Sequence, residues 1–511
     1  MNTQAYLIDT NVVIGLEDNH PVNPVFSNFL ALAAKHKVDV FVHAAARDDV
    51  ARDKNSTRRE ISNSKLKKFQ TLEKVKGLTK DKLETMFGFL KKPNDFVDAI
   101  LLHTLTRNIV DFLVTEDRGL HDRAQKYSTE LARRVLFVAD AASLLSETYE
   151  PKETSVRYVE EVLAHTINLE DKIFDSLREG YPEFNDWWHK KCVANRRLCW
   201  VVYDEGLAGL IVRKDEEPSK TDAITTSVEK ILKICTFKVR PESRGIKLGE
   251  LLLKQVFWYA QINAYDLVYL TTYENQVALI NLIEYYGFTC TTTKPDGELV
   301  YEKSFSRQCL AISDIKKNDI FEFFRTNYPR FSISPKIKSF GIPIQESYHD
   351  VLFPDLKNIQ QLDLFSMRNG LKKPGNSIRK VYICRAPSDL DSPGSVLFFY
   401  KGCSENFPSQ ALTAIGILED VTKAENTKEL MQLCGGRSVY SEKQLYNWNA
   451  SPTKPVKVIN FLLVGYIAPV IEITFLKEQR IFKNSPPQSI FKIPNNDVQK
   501  ITKKIKLGFE L

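Results

Sequence analysis

The first 140 residues of this chain alternate short apolar runs with helical periods, which is typical of parallel βαβ units. Four aspartates accompany these runs, namely Asp9, Asp49, Asp98 and Asp117. Two of them stand at the carboxyl ends of predicted strands, where open α/β sheets place their sites. Carboxylates gathered there repel one another unless a divalent cation lies between them, and hard oxygen ligands select Mg²⁺ or Mn²⁺. Since such ions serve phosphodiester cleavage, the region is a candidate metal-dependent nuclease.

The segments around these aspartates, 7–14, 98–101 and 114–117, resemble the motifs of the PIN-domain ribonucleases over about residues 1–148. The resemblance implies a PIN-like parallel α/β sheet with Asp9, Asp98 and Asp117 at metal-binding, catalytic positions. The family's second acidic position is usually Glu. Here Asp49 is assigned to it as ligand and catalytic residue, with Asp48 as the alternative. Taken singly, Asp9 also fits a helix cap and Asp117 a turn.

Composition limits the class of protein. A chain of 511 residues exceeds what one core usually organises, so two to four domains are expected. The net charge of +7 is modest for this length. Basic residues nevertheless cluster after Asp49, where they form either a solvated face or a surface for a phosphate backbone. They are Arg47, Arg52, Lys54, Arg58, Arg59, Lys65, Lys67 and Lys68.

Cysteine usage and hydropathy favour a cytoplasmic protein. The eight cysteines include no Cys-x-x-Cys pair, so neither a zinc site nor a disulfide framework is predicted. Free thiols suit a reducing compartment. The N-terminus lacks the basic region and long apolar core of a signal peptide. The longest apolar stretch, 461–471, is too short to span a bilayer, so no membrane partner is expected.

The middle of the chain predicts an anion-binding turn. An apolar strand, 231–239, leads into the turn 240–249 and an apolar helix, 250–259. A glycine-bearing turn before a helix presents unpaired backbone N–H groups and a positive dipole end, which together can hold a pyrophosphate. A strand–helix turn with glycine also occurs for packing alone, so the surrounding order of elements carries the prediction.

That order resembles the GNAT N-acetyltransferases over about residues 152–305, which implies a GNAT α/β fold that binds acetyl-CoA. Arg244 and Gly249 match the ends of the family's turn, while Lys247 replaces its usual first glycine. The segment 271–278, with Asn275, matches the stretch after the next strand. The resemblance implies cofactor contacts from Val239, Arg244, Gly245, Ile246, Lys247, Leu248, Gly249 and Asn275.

The acid and base of such a reaction are less clearly marked. An acceptor amine must lose a proton before it attacks, and Glu229, at the start of the long strand, is the candidate base. The tyrosine that often protonates the leaving thiolate in the family falls on Ile283. Tyr286 is therefore the offset candidate, with aromatic packing as its alternative role.

The last part of the chain, about 375–500, looks like an ASCH/EVE-type PUA-like β-barrel. The resemblance implies recognition of RNA or of a modified base by Arg385, Tyr400, Arg437 and Trp448. Filling a small barrel is the alternative role of these aromatics.

The sequence predicts α/β and α+β domains: PIN-like (1–148), GNAT (152–305), a linker or helical extension (306–377) and PUA-like (378–511). The leading hypothesis is an RNA-directed enzyme, with tRNA or modified-base nucleic acid as partner, in stress response or defence. The alternatives are a protein or small-amine acetyltransferase with non-catalytic flanking domains, or a non-catalytic nucleic-acid-binding regulator. The sequence leaves the oligomeric state open.

Overall fold

The computed structural model describes residues 4–15, 24–52, 55–73, 75, 78–149, 158–204, 206–225, 228–240, 247–312, 315–316, 319–358, 377–404, 408–434, 440, 442–482 and 487–511. These residues form three β-sheets in two compact units. The first unit holds the described residues up to 149 together with 428–434, and the second holds the others.

The sheet of the first unit is entirely parallel, in the order β3-β2-β1-β4-β5. Its strands are β1 (Ala5–Ile8), β2 (Asp39–His43), β3 (Gln70–Leu72), β4 (Phe112–Val114) and β5 (Val135–Leu136). Its helices are α1 (Thr10–Gly15), α2 (Pro24–Lys35), α3 (Ala46–Ala51), α4 (Ser56–Leu66), α5 (Lys80–Phe87), α6 (Pro93–Thr106), α7 (Arg118–Tyr127), α8 (Thr129–Arg133) and α9 (Val138–Tyr149). The predicted parallel α/β class is confirmed, but the sheet alone does not establish a PIN domain.

Alternating side chains cover both faces of this sheet. Tyr6 and Ile8 pack into one apolar cluster with α2 and α9, whereas Leu7 packs into another with α5 and α6. Successive residues of a strand point to opposite faces, and a parallel sheet needs both faces covered. The strand order reverses between β1 and β4, so the carboxyl ends of these two strands flank a crevice of the kind that binds ligands.

The second sheet carries the predicted GNAT region, in the order β11-β12-β10-β9-β8-β7-β6. Only the β9–β10 pairing is parallel. Its strands are β6 (Glu160–Leu163), β7 (Leu198–Tyr203), β8 (Leu207–Glu216), β9 (Ile231–Val239), β10 (Leu267–Thr272), β11 (Thr289–Thr293) and β12 (Leu299–Ser304). Its α-helices are α10 (Asp175–Gly180), α11 (Phe184–Trp187), α12 (Leu248–Ile262) and α13 (Val277–Tyr285), and a π-helix spans Trp188–Val193.

The third sheet is mixed, in the order β14-β17-β16-β15-β13-β18. Its strands are β13 (Ser339–Ile344), β14 (Arg379–Cys384), β15 (Val396–Lys401), β16 (Ala411–Ala424), β17 (Val456–Glu472) and β18 (Phe491–Ile493). The helices of this part of the chain are α14 (Ile320–Thr326), α15 (Glu346–Leu352), α16 (Asp355–Asn358), α17 (Thr427–Cys434), α18 (Glu442–Asn447), α19 (Ile473–Glu478) and α20 (Asn495–Thr502), of which α17 belongs to the first unit from residue 428 onward. Among the pairings of the described residues none joins β14 to β18, so the predicted closed barrel is not confirmed.

Two segments differ from the sequence prediction. The segment 306–377, predicted as a linker or helical extension, contains α14–α16 and also contributes β13, which is buried and pairs in parallel with β15. The sequence from around Ser155 favours an amphipathic helix; Ser155 lies outside the described residues, and Glu160–Leu163 form strand β6. No helix in the described part of the chain is long and apolar enough to cross a membrane.

Candidate functional site

The two parallel strands of the second sheet, β9 and β10, diverge before β9 ends. The parallel ladder runs only from Leu267↔Ile231 to Leu270↔Ile234, although β9 continues to Val239. On its other side β9 stays paired with β8 as far as Val239↔Gly209. Among the described pairings, the edge of residues 235–239 that faces β10 forms no ladder, so a bound molecule can pair with the backbone there.

Helix α12 begins beside this opening, and its first residues pack closely. Lys247 is its N-cap, in the left-handed region with φ 62° and ψ 20°. That conformation explains why glycine is usual there, since other residues adopt it at a cost. A Cβ on Gly249 would lie 3.0 Å from Leu282 and 4.0 Å from Val239. Gly249 thus lets α12 approach α13 and β9 closely.

Close packing also fixes α12 against the neighbouring strand. A Cβ on Gly209, in β8, would lie 2.9 Å from the side chain of Leu252. Leu248 as a whole residue is 2% exposed, so its side chain is part of this packing. The first N–H groups of this 15-residue helix have no acceptor within the helix, and they lie next to the diverging strands, an arrangement of the kind that binds anions.

The structure brings together part of the predicted cofactor set. Val239 ends β9, and Lys247, Leu248 and Gly249 open α12 beside it. Asn275 is exposed just before α13, where its carboxamide oxygen accepts a hydrogen bond from Gln276 at 3.3 Å. The other three predicted residues, Arg244, Gly245 and Ile246, lie outside the described residues.

Neither predicted proton-transfer residue is well placed. Glu229 is exposed and precedes β9, whereas the opening lies at the strand's other end. At about 3.3 Å per residue, β9 spans about 26 Å from Ile231 to Val239, and Glu229 lies before Ile231. Tyr286 is 0% exposed, and its hydroxyl has no hydrogen-bond partner within the described structure. Burial raises its pKa well above the usual value, so Tyr286 packs rather than donates protons.

Two tyrosines at the open end of the sheet, Tyr181 and Tyr273, were not predicted from the sequence as site residues. Tyr273 follows β10, and its ring centroid lies 6.1 Å from that of Tyr181. Tyr181 is 43% exposed, and partial burial with nearby Glu298 raises its pKa to about 12. Since Thr272 pairs with Leu299, Glu298 lies at the same end of the sheet. Nothing local marks these residues, because distant segments bring them together.

The aspartates of the first unit lie around the crevice between β1 and β4. Asp9 follows β1 and is 5% exposed. Its carboxylate accepts hydrogen bonds from the backbone N–H of Thr10 at 2.6 Å, from Asn11 Nδ2 at 2.9 Å and from Thr115 Oγ1 at 2.7 Å. Burial raises its pKa to about 6, and the charge of Asp117 adds to the shift.

The other three aspartates have different surroundings. The pKa of Asp98, on α6, is raised to about 8, mainly by burial and also by repulsion from Asp9 and Asp117. Asp117 caps α7 by accepting a hydrogen bond from Leu120 N–H at 3.2 Å, as the capping role predicts for an aspartate. Asp49 forms an ion pair with Arg52 and accepts a hydrogen bond from Thr10 Oγ1 at 3.3 Å.

This arrangement does not support the predicted Mg²⁺ or Mn²⁺ site. In the described part of the chain no three His, Cys, Asp or Glu side chains lie together so that they could hold a metal ion. Asp9 is satisfied by neutral donors and Asp49 by a guanidinium. The structure gathers the four positions without forming a shared coordination sphere.

The predicted nucleic-acid residues are largely engaged. Arg385 lies 5.4 Å from the ring centre of Trp448 and donates to the carbonyl oxygens of Trp448, Asn449 and Lys454. Tyr400 is 1% exposed within the third-sheet core. In the basic stretch Lys65 is 5% exposed. Lys54, Arg437 and the side chain of Arg58 lie outside the described residues.

Comparison with known proteins gives short or low-identity matches. An uncharacterized N-acetyltransferase of Schizosaccharomyces pombe is 40% identical over 57 residues, which are 11% of this chain and 34% of that protein. The chain therefore spans about a third of the curated relative it matches.

Two solved structures are similar to parts of the chain. An ASCH protein from Zymomonas mobilis is 18% identical, with 33% of this chain and 96% of that one covered at a TM-score of 0.24. PaiA N-acetyltransferase from Thermoplasma acidophilum, solved with coenzyme A, is 13% identical, with 29% and 99% covered at a TM-score of 0.23. TM-scores this low do not establish a function for this chain. Residues 163–288, which contain β7–β10 and α10–α13, match the family model described as Acetyltransferase (GNAT) family.

Proposed function

We propose that residues 158–304 transfer an acetyl group from acetyl-CoA to an amine. The observation that carries the proposal is the parting of β9 from β10 next to the start of α12. A family match over residues 163–288 supports it independently. Acetyl-CoA supplies an activated thioester, and the chain supplies the free strand edge and the helix N-terminus that would bind its amide-rich arm and its phosphates.

In the proposed reaction, a backbone N–H group stabilises the developing charge and water carries the proton. A backbone N–H near Val239 would bind the thioester carbonyl oxygen, on which negative charge develops as the amine nitrogen attacks. The carbon–sulfur bond then breaks, and coenzyme A leaves as its thiolate. Glu229 lies too far away to take the amine's proton, and Ile283 offers no acid to the thiolate. Water at the open end of the sheet is the proposed proton carrier.

Acetyl-CoA binding tests this proposal. Calorimetry on the full chain should detect acetyl-CoA, and Gly249→Glu should abolish the binding because its side chain would press on Leu282 and Val239 and bring a negative charge to the start of α12. Gly180→Glu is the matched control, since a side chain there meets nothing within 4 Å. An unmodified protein without affinity for acetyl-CoA would refute the proposal.

A ribonuclease in the first unit is the second candidate, with RNA as the partner. One observation favours it: Asp9, Asp98 and Asp117 repel one another at the crevice where the strand order reverses. If the unit takes up a cation, Mn²⁺ should raise its melting temperature and promote RNA cleavage, and Asp98→Asn should remove both effects. Asp95→Asn is the control, because Asp95 serves the backbone of Lys91 and Lys92. Absence of any Mn²⁺ effect would rule the candidate out.

We propose a cytoplasmic location, which the burial of the thiols supports. Five of the eight cysteines are buried or half-buried. Burial raises the pKa of Cys192 and of Cys199 to about 12, which makes both thiols unreactive. A reducing compartment suits such a chain, and we place the protein in the cytoplasm.

A further inference from the structure

One face of the proposed cofactor helix is polar and yet buried. Glu250, Lys254, Trp258 and Gln261 recur on α12 at intervals of three or four residues, so they share a face. Glu250, Lys254 and Gln261 are 5%, 4% and 3% exposed. Buried charges need partners, and here the partners come from residues C-terminal to 305.

The first two of these side chains form ion pairs with the third-sheet region of the same unit. The carboxylate of Glu250 accepts a hydrogen bond from the backbone N–H of Arg379 and lies 3.7 Å from its Nε. One turn further on, Lys254 Nζ lies 2.8 Å from Asp355 Oδ2. Tyr466 donates to the same carboxylate at 3.0 Å. These contacts fix the first half of α12.

The second half of the face is held by neutral groups. The indole N–H of Trp258 donates to Tyr328 at 3.0 Å, and the Tyr328 hydroxyl donates to the carbonyl oxygen of Leu463 at 2.7 Å. Gln261 Nε2 donates to the carbonyl oxygen of Gly508 at 3.0 Å. The proposed acetyltransferase region is thus built onto the C-terminal region along the whole of α12.

Glu250 creates an electrostatic problem for an anionic ligand. It stands in the first turn of α12, where free N–H groups would bind a pyrophosphate. An unpaired carboxylate there would repel the phosphates and compete for the same positive dipole end. The guanidinium of Arg379 offsets that charge, and it also lies 4.8 Å from the ring centre of Tyr285.

In the described part of the chain, the other charges near this helix start include Lys247, Lys254, Asp355 and Lys380, and Glu419 acts on Arg379. Lys380 is 2% exposed and donates to the carbonyl oxygen of Leu352 at 2.7 Å. Its pKa is lowered to about 7, mainly by burial and also by Lys254 and Lys247, while Asp355 and Glu250 act in the opposite sense. With Glu250 paired, the balance at the start of α12 favours an anion.

We infer that Arg379 is a positioning residue for acetyl-CoA: by neutralising Glu250 it leaves the N-terminus of α12 free to bind the cofactor's phosphates. The C-terminal region thereby completes a cofactor site that the sequence assigns to residues 152–305 alone. The inference rests on the proposed acetyltransferase function and adds to it a residue outside the family match.

The test removes the guanidinium and keeps the backbone contact. In the full chain, Arg379→Met should weaken acetyl-CoA binding about tenfold, as one unpaired charge near a phosphate predicts. The double variant Glu250→Gln/Arg379→Met should restore the affinity, because it removes the freed carboxylate. Binding of S-acetylpantetheine, which has no phosphate, should be the same in all three proteins.

A second variant distinguishes the loss of the Arg379 charge from a general loss of packing between α12 and the C-terminal region. Asp355→Asn breaks the neighbouring ion pair without freeing Glu250, so it should weaken acetyl-CoA binding much less than Arg379→Met. Circular dichroism checks that each variant is folded. Equal losses in Asp355→Asn and Arg379→Met, or no recovery in the double variant, would overturn the inference. Acetyl-CoA binding by the unmodified protein that Arg379→Met leaves unchanged would also overturn it while the proposed function stands.

Discussion

Gly287 is a residue whose identity the packing dictates. Its φ is +86°, and a Cβ there would overlap the carbonyl oxygen of Thr326. The close approach lets Lys303 donate to the carbonyl oxygens of both Tyr286, at 2.7 Å, and Thr326, at 2.6 Å. The amine thus joins the C-terminal ends of α13 and α14, where a cation is favourable.

The expected cost of changing this glycine follows directly. Gly287→Ala should lower the free energy of unfolding by about 2–5 kcal/mol, through backbone strain plus overlap with the Thr326 carbonyl. Gly297→Ala is the control: its φ is +85°, but a Cβ meets nothing within 4 Å. That change should cost only the strain, about 1–2 kcal/mol. Urea unfolding curves measure both, and equal losses would mean that the contact with Thr326 relaxes.

At the scale of elements, the last residues of strand β9 pair with β8 on one side and have diverged from β10 on the other. Residues 235–239 are paired with β8, while β10 has diverged from them. Alternate amides in 235–239 should therefore exchange with solvent much faster than their neighbours, because only those facing β8 are hydrogen-bonded. Acetyl-CoA should slow the fast set. Hydrogen exchange followed by NMR measures this, and uniform protection without ligand would contradict an open edge.

The sequence predicted β9 with the bounds that the structure has, because an apolar strand pattern ends there at Arg240-Pro241. It could not predict where β9 leaves β10, since that depends on a partner beyond the whole of α12. For the same reason it treated 306–377 as a linker, although β13 pairs with a strand fifty residues later. Local pattern identifies elements, and non-local pairing creates the site.

The buried charges on α12 also depend on non-local partners that the local sequence pattern does not predict. The spacing of Glu250, Lys254 and Trp258 fits a solvent-facing stripe on an independent domain. In the structure, Arg379, Asp355 and Tyr328 cover that stripe. Sequence reasoning therefore found the helix and its turn but drew a domain boundary across a packed interface.

At the scale of the whole molecule, buried titratable groups make the stability of the two units depend on pH in opposite directions. In the first unit burial raises the pKa of Asp9 to about 6 and that of Asp98 to about 8, so between pH 4 and 8 the folded state holds more protons than the unfolded state. Stability then falls as pH rises through that window. In the second unit burial lowers the pKa of Lys303 and of Lys380 to about 7. Between pH 7 and about 10 the unfolded state holds more protons, so stability there rises with pH.

The positions of the tryptophans allow the two trends to be measured separately. All five, Trp187, Trp188, Trp200, Trp258 and Trp448, lie in the second unit. Thermal unfolding followed by tryptophan fluorescence should shift to higher temperature from pH 7 to 9.5, whereas a transition seen only by circular dichroism should shift to lower temperature from pH 5 to 8. Asp98→Asn should raise the latter transition at pH 8 and flatten its pH dependence, because it removes the buried ionisable carboxyl, and Asp95→Asn should do neither. A single transition that moves in one direction by both probes would show that the units unfold together and that these buried groups do not set their stability.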